Sequence, residues 1–247
     1  MRANAVVLIL CVALALMTLG ATGESGRRRA REFVCLANVG QLAQGWLLFA
    51  EEHDGALVGG NALDHPMQWV GRALYNATIE EKLNAIRKGL LFPYTGDVRV
   101  YRCPVDEGRS DPNRFGFRSF SIAGGANGED WNEYWKATRY EELENPATRY
   151  VFVEDAHPRG IPLGSWQMGP KSKTWIDPVA MWHDRKSTLG FADGHAETHG
   201  WHDPSFIDWN LRAMYQPATF SSGMVPPAEE REDIEYMAKG FPCKALR

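Results

Sequence analysis

Hydrophobic positions are patterned most strongly near the N-terminus. Ala3–Gly20 is almost purely apolar, and a short polar break at Ala21–Gly26 separates it from a basic cluster, Arg27–Arg31. Beyond the cluster, apolar residues recur three or four positions apart, a spacing that puts them on one helical face. These residues are Cys35, Val39, Leu42, Trp46 and Phe49. We predict one helix over Arg29–Glu52, ended by the turn-forming pair Asp54-Gly55.

After this helix, the pattern predicts small helices and then a meander of strands. Thr78 and Glu81 form a capping box that opens a helix to Lys88. Further helices are predicted over Pro66–Tyr75, Asp203–Tyr215 and Pro226–Lys239. Strands are predicted over Val98–Cys103, Phe117–Ala123, Arg149–Glu154, Ser187–Ala192 and His195–Trp201. The third of these is the most strand-like run, and we expect it to be central. Asp193-Gly194 predicts a hairpin turn with positive φ at both residues.

The order of these elements favours an α+β chain in which a long N-terminal helix is packed by a small, mostly antiparallel sheet. We divide the chain into four parts. Residues 1–26 are a membrane anchor or signal segment with its polar break, and residues 27–55 are the helix. Residues 56–215 form the α+β head, and residues 216–247 form a C-terminal tail with a short helix.

The apolar segment predicts export of the head. Ala3–Gly20 is about 18 residues long, which is near the lower limit for a spanning helix and longer than a typical signal-peptide core. We therefore expect an anchor, while Ala21-Thr22-Gly23 leaves signal cleavage and secretion as the alternative. The net charge of −4, with no basic excess outside Arg27–Arg31, argues against nucleic acid as a partner.

Three of the four cysteines lie beyond the apolar segment, where an oxidising compartment allows pairing. Cys35 lies on the apolar stripe, and Cys103 ends a predicted strand just before Pro104, where the chain should turn across the helix. We predict a disulfide between Cys35 and Cys103, with Cys243 as the odd thiol. Two buried thiols, or a bond from either to Cys243, are the alternatives.

Metal-binding residue types occur in two places. On the last predicted strand, alternation puts His195, Glu197 and His199 on one face, and zinc accepts such donors. The sequence offers no fourth ligand there, so an exposed polar edge is the simpler interpretation. Asp106 and Asp111 lie in a loop that can hold calcium, although the ligands do not recur at every second position. No cofactor is predicted, with zinc or calcium at these positions as alternatives.

A family resemblance rests on the spacing of His183 from Asp193-Gly194, which are separated by nine residues. This pattern resembles the H-X9-DG signature of prepilin-type, pseudopilin-like proteins. Other stretches agree with the family in order along the chain. They are Cys35-x-x-Asn38-x-x-Gln41-Leu42, Phe49–Gly55, Tyr101–Asp106, Phe191–His195 and Trp201–Pro204.

The resemblance implies a pilin-like fold and a structural or assembly role in a type II secretion or type IV pilus-like system. It implies one pass through the inner membrane, a periplasmic or extracellular head, and other pseudopilins or secretion-system components as partners. It implies no enzymatic activity. The family's basic leader and Gly-Phe-Thr-Leu-Ile-Glu run are not found at the apolar segment, so the resemblance does not extend to the prepilin peptidase site.

Two other functions remain open at the level of sequence. One is an exported binding module for polysaccharide or protein, using exposed aromatics among Trp131, Trp135, Trp166 and Trp175. The other is a metal-dependent enzyme that uses the histidines and glutamate of the last strand. Clustered surface tryptophans would favour the first, and convergent ligand atoms would favour the second. No nucleophile elbow, P-loop or dinucleotide signature is found, so an enzyme is not the expectation.

Overall fold

A single helix, α1 (Arg2–Glu52), forms the N-terminal part of the computed structural model. The structure describes residues 2–62, 66–74, 76–106, 117–156 and 165–247, with the side chains of α1 from Gly26 onward. The 51 residues of α1 extend about 77 Å at about 1.5 Å per residue. The predicted start of the helix at Arg29 is wrong, because the polar stretch Ala21–Gly26 before it is helical as well. It contains no proline, and the arginines that follow it are good helix formers.

The predicted apolar stripe of α1 is confirmed, since its five residues are at most 1% exposed. The helix also ends where predicted. Asp54 and Gly55 adopt φ angles of 53° and 83°, and the Gly55 N–H donates to the Ala50 carbonyl at 2.8 Å. A left-handed pair of this kind closes the last helical turn.

A four-stranded antiparallel sheet packs on α1. The strands in the described part of the chain are β1 (Phe120–Ile122), β2 (Tyr134–Lys136), β3 (Tyr150–Glu154), β4 (Met168–Gly169), β5 (Thr174–Trp175), β6 (Lys186–Phe191), β7 (Ala196–Gly200) and β8 (Cys243–Leu246). The main sheet has the order β1-β3-β6-β7, so the predicted central position of β3 is confirmed. Phe152 of β3 belongs to the core around α1, and Val153 belongs to a second core. Coverage of both faces explains why β3 is a continuous apolar run.

Four smaller α-helices follow α1 in the described residues. They are α2 (Ile79–Arg87), α3 (Phe92–Thr95), α4 (Pro204–Tyr215) and α5 (Glu232–Gly240). One of them starts as predicted, and two other predicted elements are wrong. The capping box at the start of α2 is present as predicted. The strand predicted over Val98–Cys103 is instead a 3-10 helix, Val98–Tyr101, because the Asp97 side chain accepts the Arg99 N–H at 2.9 Å and starts a turn. The described residues of Pro66–Tyr75 form turns rather than a helix.

Residues 216–247 are part of the head rather than a tail. Strand β8 pairs antiparallel with β2, and the Ile234 and Met237 side chains of α5 are fully buried. They join the second core, which also contains Trp166 and Trp175. Helix α5 begins at Glu232, later than its predicted start at Pro226.

The hairpin between β6 and β7 differs from the predicted two-residue turn. Gly194 has φ of 90°, but Asp193 has no positive φ. The Gly194 N–H donates to the Phe191 carbonyl at 3.0 Å, and the Phe191 N–H donates to the His195 carbonyl at 2.8 Å. This is the longer hairpin loop in which one left-handed glycine follows a turn, so only that glycine needs positive φ.

Candidate functional site

Four buried side chains that can bind a metal ion converge beside α1. They are Cys35, Cys103, Glu154 and His183, and their ligand atoms all lie within 4.8 Å of one another. Glu154 Oε1 is 2.9 Å from Cys35 Sγ and 3.2 Å from His183 Nε2. His183 Nε2 is also 3.4 Å from Cys103 Sγ. Each residue is at most 2% exposed. Among the described residues, no other group of three or more such side chains converges in this way.

Helix α1 carries Cys35 and also holds Cys103 in position. Cys35 is the first residue of the buried stripe. One turn later, the Asn38 side chain donates to the carbonyls of Arg102 at 2.9 Å and Arg99 at 3.3 Å. Because Arg102 directly precedes Cys103, these bonds hold the second cysteine against the helix. The spacing Cys35-x-x-Asn38 therefore has a structural role in this chain, since both side chains reach the same turn.

The sheet supplies the carboxylate and the imidazole. Glu154 ends β3, and its Oε2 accepts the backbone N–H of Thr188 on the neighbouring strand β6 at 2.7 Å. This bond leaves Oε1 directed at the two other side chains. His183 precedes a turn in which Asp184 and Arg185 have φ of 60° and 59°. That left-handed pair reverses the chain just before β6 and holds the imidazole at the end of the strand.

Burial and hydrogen bonding set the protonation of the cluster. Burial disfavours a charged imidazole, but the hydrogen bonds to Cys103 and Glu154 outweigh it and raise the pKa of His183 to about 10. Burial raises the pKa of the Cys35 thiol well above its usual value, and its hydrogen bond to Cys103 raises it further. His183 and Glu154 thus form a hydrogen-bonded pair that lies out of water. A buried pair of this kind is costly to break.

The H-X9-DG residues mark the two ends of β6. His183 lies in the buried cluster beside Cys35. At the other end, a Cβ on Gly194 would lie 3.4 Å from Cγ of Gln44, so the Asp193-Gly194 turn lies against α1 as well. The nine intervening residues include a turn and the six-residue strand β6. The motif therefore spans the strand and brings both of its ends to α1.

The cysteines differ in state from the predicted disulfide. Cys35, Cys103 and Cys243 are all free thiols in the structure. The two predicted partners do lie in one cluster, as the expected turn across the helix requires. Cys243 is half-buried on β8 and lies outside that cluster.

The three residues predicted as ligands on β7 are not gathered around a common point. The His195 imidazole bonds Asp193 at 2.5 Å and stacks on Phe191. Glu197 accepts the Tyr236 hydroxyl at 2.5 Å, and His199 stacks on the same ring with centroids 3.9 Å apart. Helix α5, which carries Tyr236, thus packs against Glu197 and His199. Alternation specifies a face of the strand but not what covers that face, and the zinc alternative at these residues gains no support from their arrangement.

Only one of the two acidic residues of the predicted calcium loop lies in the described part of the chain. Asp111 lies outside the described residues, and Asp106 is buried and accepts the Ser119 hydroxyl at 2.7 Å.

The tryptophans proposed for ligand binding do not form a surface cluster. Trp166 and Trp175 are fully buried, whereas Trp135 is 56% exposed with the Arg247 guanidinium over its ring at 3.8 Å.

Sequence reasoning missed Glu154 entirely and did not join His183 to the two cysteines. The available signal was a lone charged residue at the end of the most apolar strand, Tyr150-Val-Phe-Val-Glu154. A buried charge is rare unless it is paired, so this glutamate marks a polar partner in the core. The partners come from segments that are distant in sequence.

No family model matches the chain, and no curated protein or solved structure matches it.

Proposed function

We propose that the chain is a membrane-anchored, pseudopilin-like protein with an exported head. It acts as a structural or assembly component of a type II secretion or type IV pilus-like system, and not as an enzyme. Its partners are other pseudopilins or components of such a system. The order of the motifs, from Cys35 to the turn at Asp193-Gly194, supports this proposal.

The observation that carries the proposal is the continuity of α1. Ala3–Gly20 and the buried stripe from Cys35 to Phe49 belong to one uninterrupted helix. Gly26–Glu52 is also long and apolar enough to cross a membrane, but 44% of its apolar window is buried inside the molecule. We therefore assign that part to the core of the head and the preceding apolar segment to the membrane. An anchor helix that continues into the head is the pilin-like arrangement.

Exposed apolar residues near the start of the head support an assembly role. Phe33 is 69% exposed and Val34 is 49% exposed, directly after the basic cluster. Farther along α1, Leu48 is 45% exposed. Phe33 and Val34 lie on the part of α1 nearest the proposed membrane segment, where neighbouring subunits would pack.

Fractionation tests the anchor. The full chain should remain in the membrane fraction after a carbonate wash, because the apolar segment is about long enough to span. Protease added to spheroplasts should digest the head. A soluble mature form that begins near Glu24 would contradict the anchor.

Cross-linking tests the assembly role. In a Cys243→Ser background, Phe33→Cys should form adducts with a second copy or another pseudopilin when a bismaleimide is added to membranes. Tyr215→Cys is the matched control, since Tyr215 is 60% exposed but lies at the end of α4. Equal labelling of both positions, or no adduct from either, would contradict the proposed contact along α1.

A further inference from the structure

We propose that Cys35, Cys103, Glu154 and His183 bind one zinc ion, which fastens α1 to the head. This inference does not depend on the membrane anchor or on pseudopilin partners. The site is distinct from the predicted histidine face on β7. Its four ligands come from four separate places in the chain: α1, the turn after the 3-10 helix, the end of β3 and the turn before β6.

The donor set favours zinc over harder cations. Two sulfurs and an imidazole nitrogen are ligands that zinc binds well, whereas calcium and magnesium prefer oxygen. A carboxylate completes the four ligands of a tetrahedral site. Two thiolates, one carboxylate and a neutral imidazole give the ligands a charge of about −3, which the zinc ion reduces to about −1. The ion replaces the protons on the two thiols and the imidazolium, and these protons pass to solvent.

Three of the six ligand separations lie close to those of a zinc site, and the other three lie within 4.8 Å. Zinc bonds of about 2.0–2.3 Å in a tetrahedron place neighbouring ligand atoms about 3.3–3.8 Å apart. The separations of 3.2 Å from His183 to Glu154 and 3.4 Å from His183 to Cys103 are close to that range. The 2.9 Å separation of Cys35 Sγ from Glu154 Oε1 would open by about half an ångström on binding.

Surrounding groups hold the ligands in place. The Thr188 N–H binds Glu154 Oε2 at 2.7 Å and so leaves one oxygen for the metal. The Thr188 hydroxyl lies 3.4 Å from Cys35 Sγ, within reach of the sulfur. Outer bonds of this kind orient metal ligands. Because all four ligands are buried and no position opens to solvent, we assign the zinc a structural role and not a catalytic one.

The main rival is a disulfide between the two cysteines of the cluster. It would use two of the four side chains and would leave His183 paired with Glu154, which also accepts the Thr188 N–H. A zinc ion uses all four. The two outcomes are exclusive, since a sulfur in a disulfide has no thiolate to offer a metal.

Metal analysis of the purified protein tests the proposal. The full chain, carrying no histidine tag, is extracted in mild detergent without chelators, and zinc is measured by mass spectrometry. We expect about one zinc per chain. Zinc should be lost in Cys103→Ser and in His183→Gln. It should be retained in the matched controls Cys243→Ser and His199→Gln, which alter a cysteine and a histidine outside the cluster.

A second measurement covers variants that fail to fold. Wild-type protein stripped of zinc and reloaded with one equivalent of cobalt should show sulfur-to-cobalt charge-transfer absorption. Cys35 and Cys103 should resist alkylation until a chelator is added, while Cys243 reacts at the same rate with and without it. Three results would each overturn the proposal: no zinc or cobalt bound after reloading under reducing conditions, a Cys35–Cys103 disulfide in protein taken from cells, or zinc that persists in both ligand variants.

Discussion

Two groups of histidine and acidic residues lie on opposite sides of β6, and they differ in what surrounds them. His195, just before β7, and Glu197 and His199 on this partly exposed strand are close in sequence, with aromatic rings stacked on the histidines. The buried cluster has one histidine and one glutamate, 29 residues apart, with two cysteines from elsewhere. Only the buried cluster brings its ligand atoms together.

The difference teaches that density of polar residues along a chain does not predict a site. A strand spaces same-face neighbours about 6.6 Å apart, so three of them need partners from other elements to enclose an ion. The buried cluster draws each side chain from a different element, and the fold supplies the convergence. Its cost of burial also makes it the more sensitive of the two groups to substitution.

The largest expected effect comes from removing the buried carboxylate. Glu154→Ala should lower the free energy of unfolding by about 3–5 kcal/mol, because it leaves His183 without its partner in the core. The matched control Glu197→Ala, on the exposed strand, should cost about 1 kcal/mol or less. Urea denaturation of the detergent-solubilised chain, followed by tryptophan fluorescence, measures both. Equal losses of unfolding free energy in the two variants would contradict the proposed difference between the buried cluster and the residues of β7.

A smaller effect is expected at the residue that positions Cys103. Asn38→Ala removes the hydrogen bonds to the Arg102 and Arg99 carbonyls and should cost about 1–2 kcal/mol. Cys103 should also become easier to alkylate in the folded, metal-stripped protein. Gln41→Ala is the control, since its side chain is exposed and donates only within α1, to the Ala37 carbonyl. Unchanged alkylation in the Asn38 variant would show that the turn does not depend on this side chain.

The hairpin beyond β6 should respond to a single methyl group. Gly194→Ala places a side chain at φ of 90° and should cost about 1–2 kcal/mol. Gly200→Ala at the end of β7 is the control, because nothing lies within 4 Å of its added Cβ and its φ is not left-handed. Thermal denaturation measures the loss of stability in each variant. If both substitutions are neutral, the hairpin at this end of β6 is more adaptable than the structure indicates.

The smallest effect concerns the pH dependence of stability at the half-buried His199. Burial lowers the pKa of His199 below its ordinary value of 6.5, so the folded protein binds this proton less readily than the unfolded chain. Stability from this residue is present above pH 6.5 and falls as the pH drops from there toward the lower folded pKa. His199→Gln should flatten the stability curve in that window. A proton NMR titration that places the His199 pKa above 6.5 would reverse the sign.

Much of the fold can be predicted from local sequence pattern. The buried cluster cannot, because its residues are distant in sequence. The stripe on α1, the capping box at Thr78 and the central strand β3 were predicted because each depends on neighbours in sequence. Alternation over Val98–Cys103 predicts a strand, whereas the Asp97 cap starts a 3-10 helix there. Glu154 was missed because its partner Thr188 is fixed by strand pairing, which a single sequence does not specify. The disulfide prediction placed the two sulfurs together but could not include the other two side chains.

Because α1 is one continuous helix, a tilt of its N-terminal part displaces the head. From Gly20 to Trp46 the axis measures about 39 Å, at about 1.5 Å per residue. With Ala3–Gly20 in a bilayer as proposed, a tilt of about 20° would carry the packed sheet sideways by about 13 Å. The buried stripe fixes the far end of α1 against β3 and β6, so the tilt of the anchor and the position of the sheet are coupled through one helix.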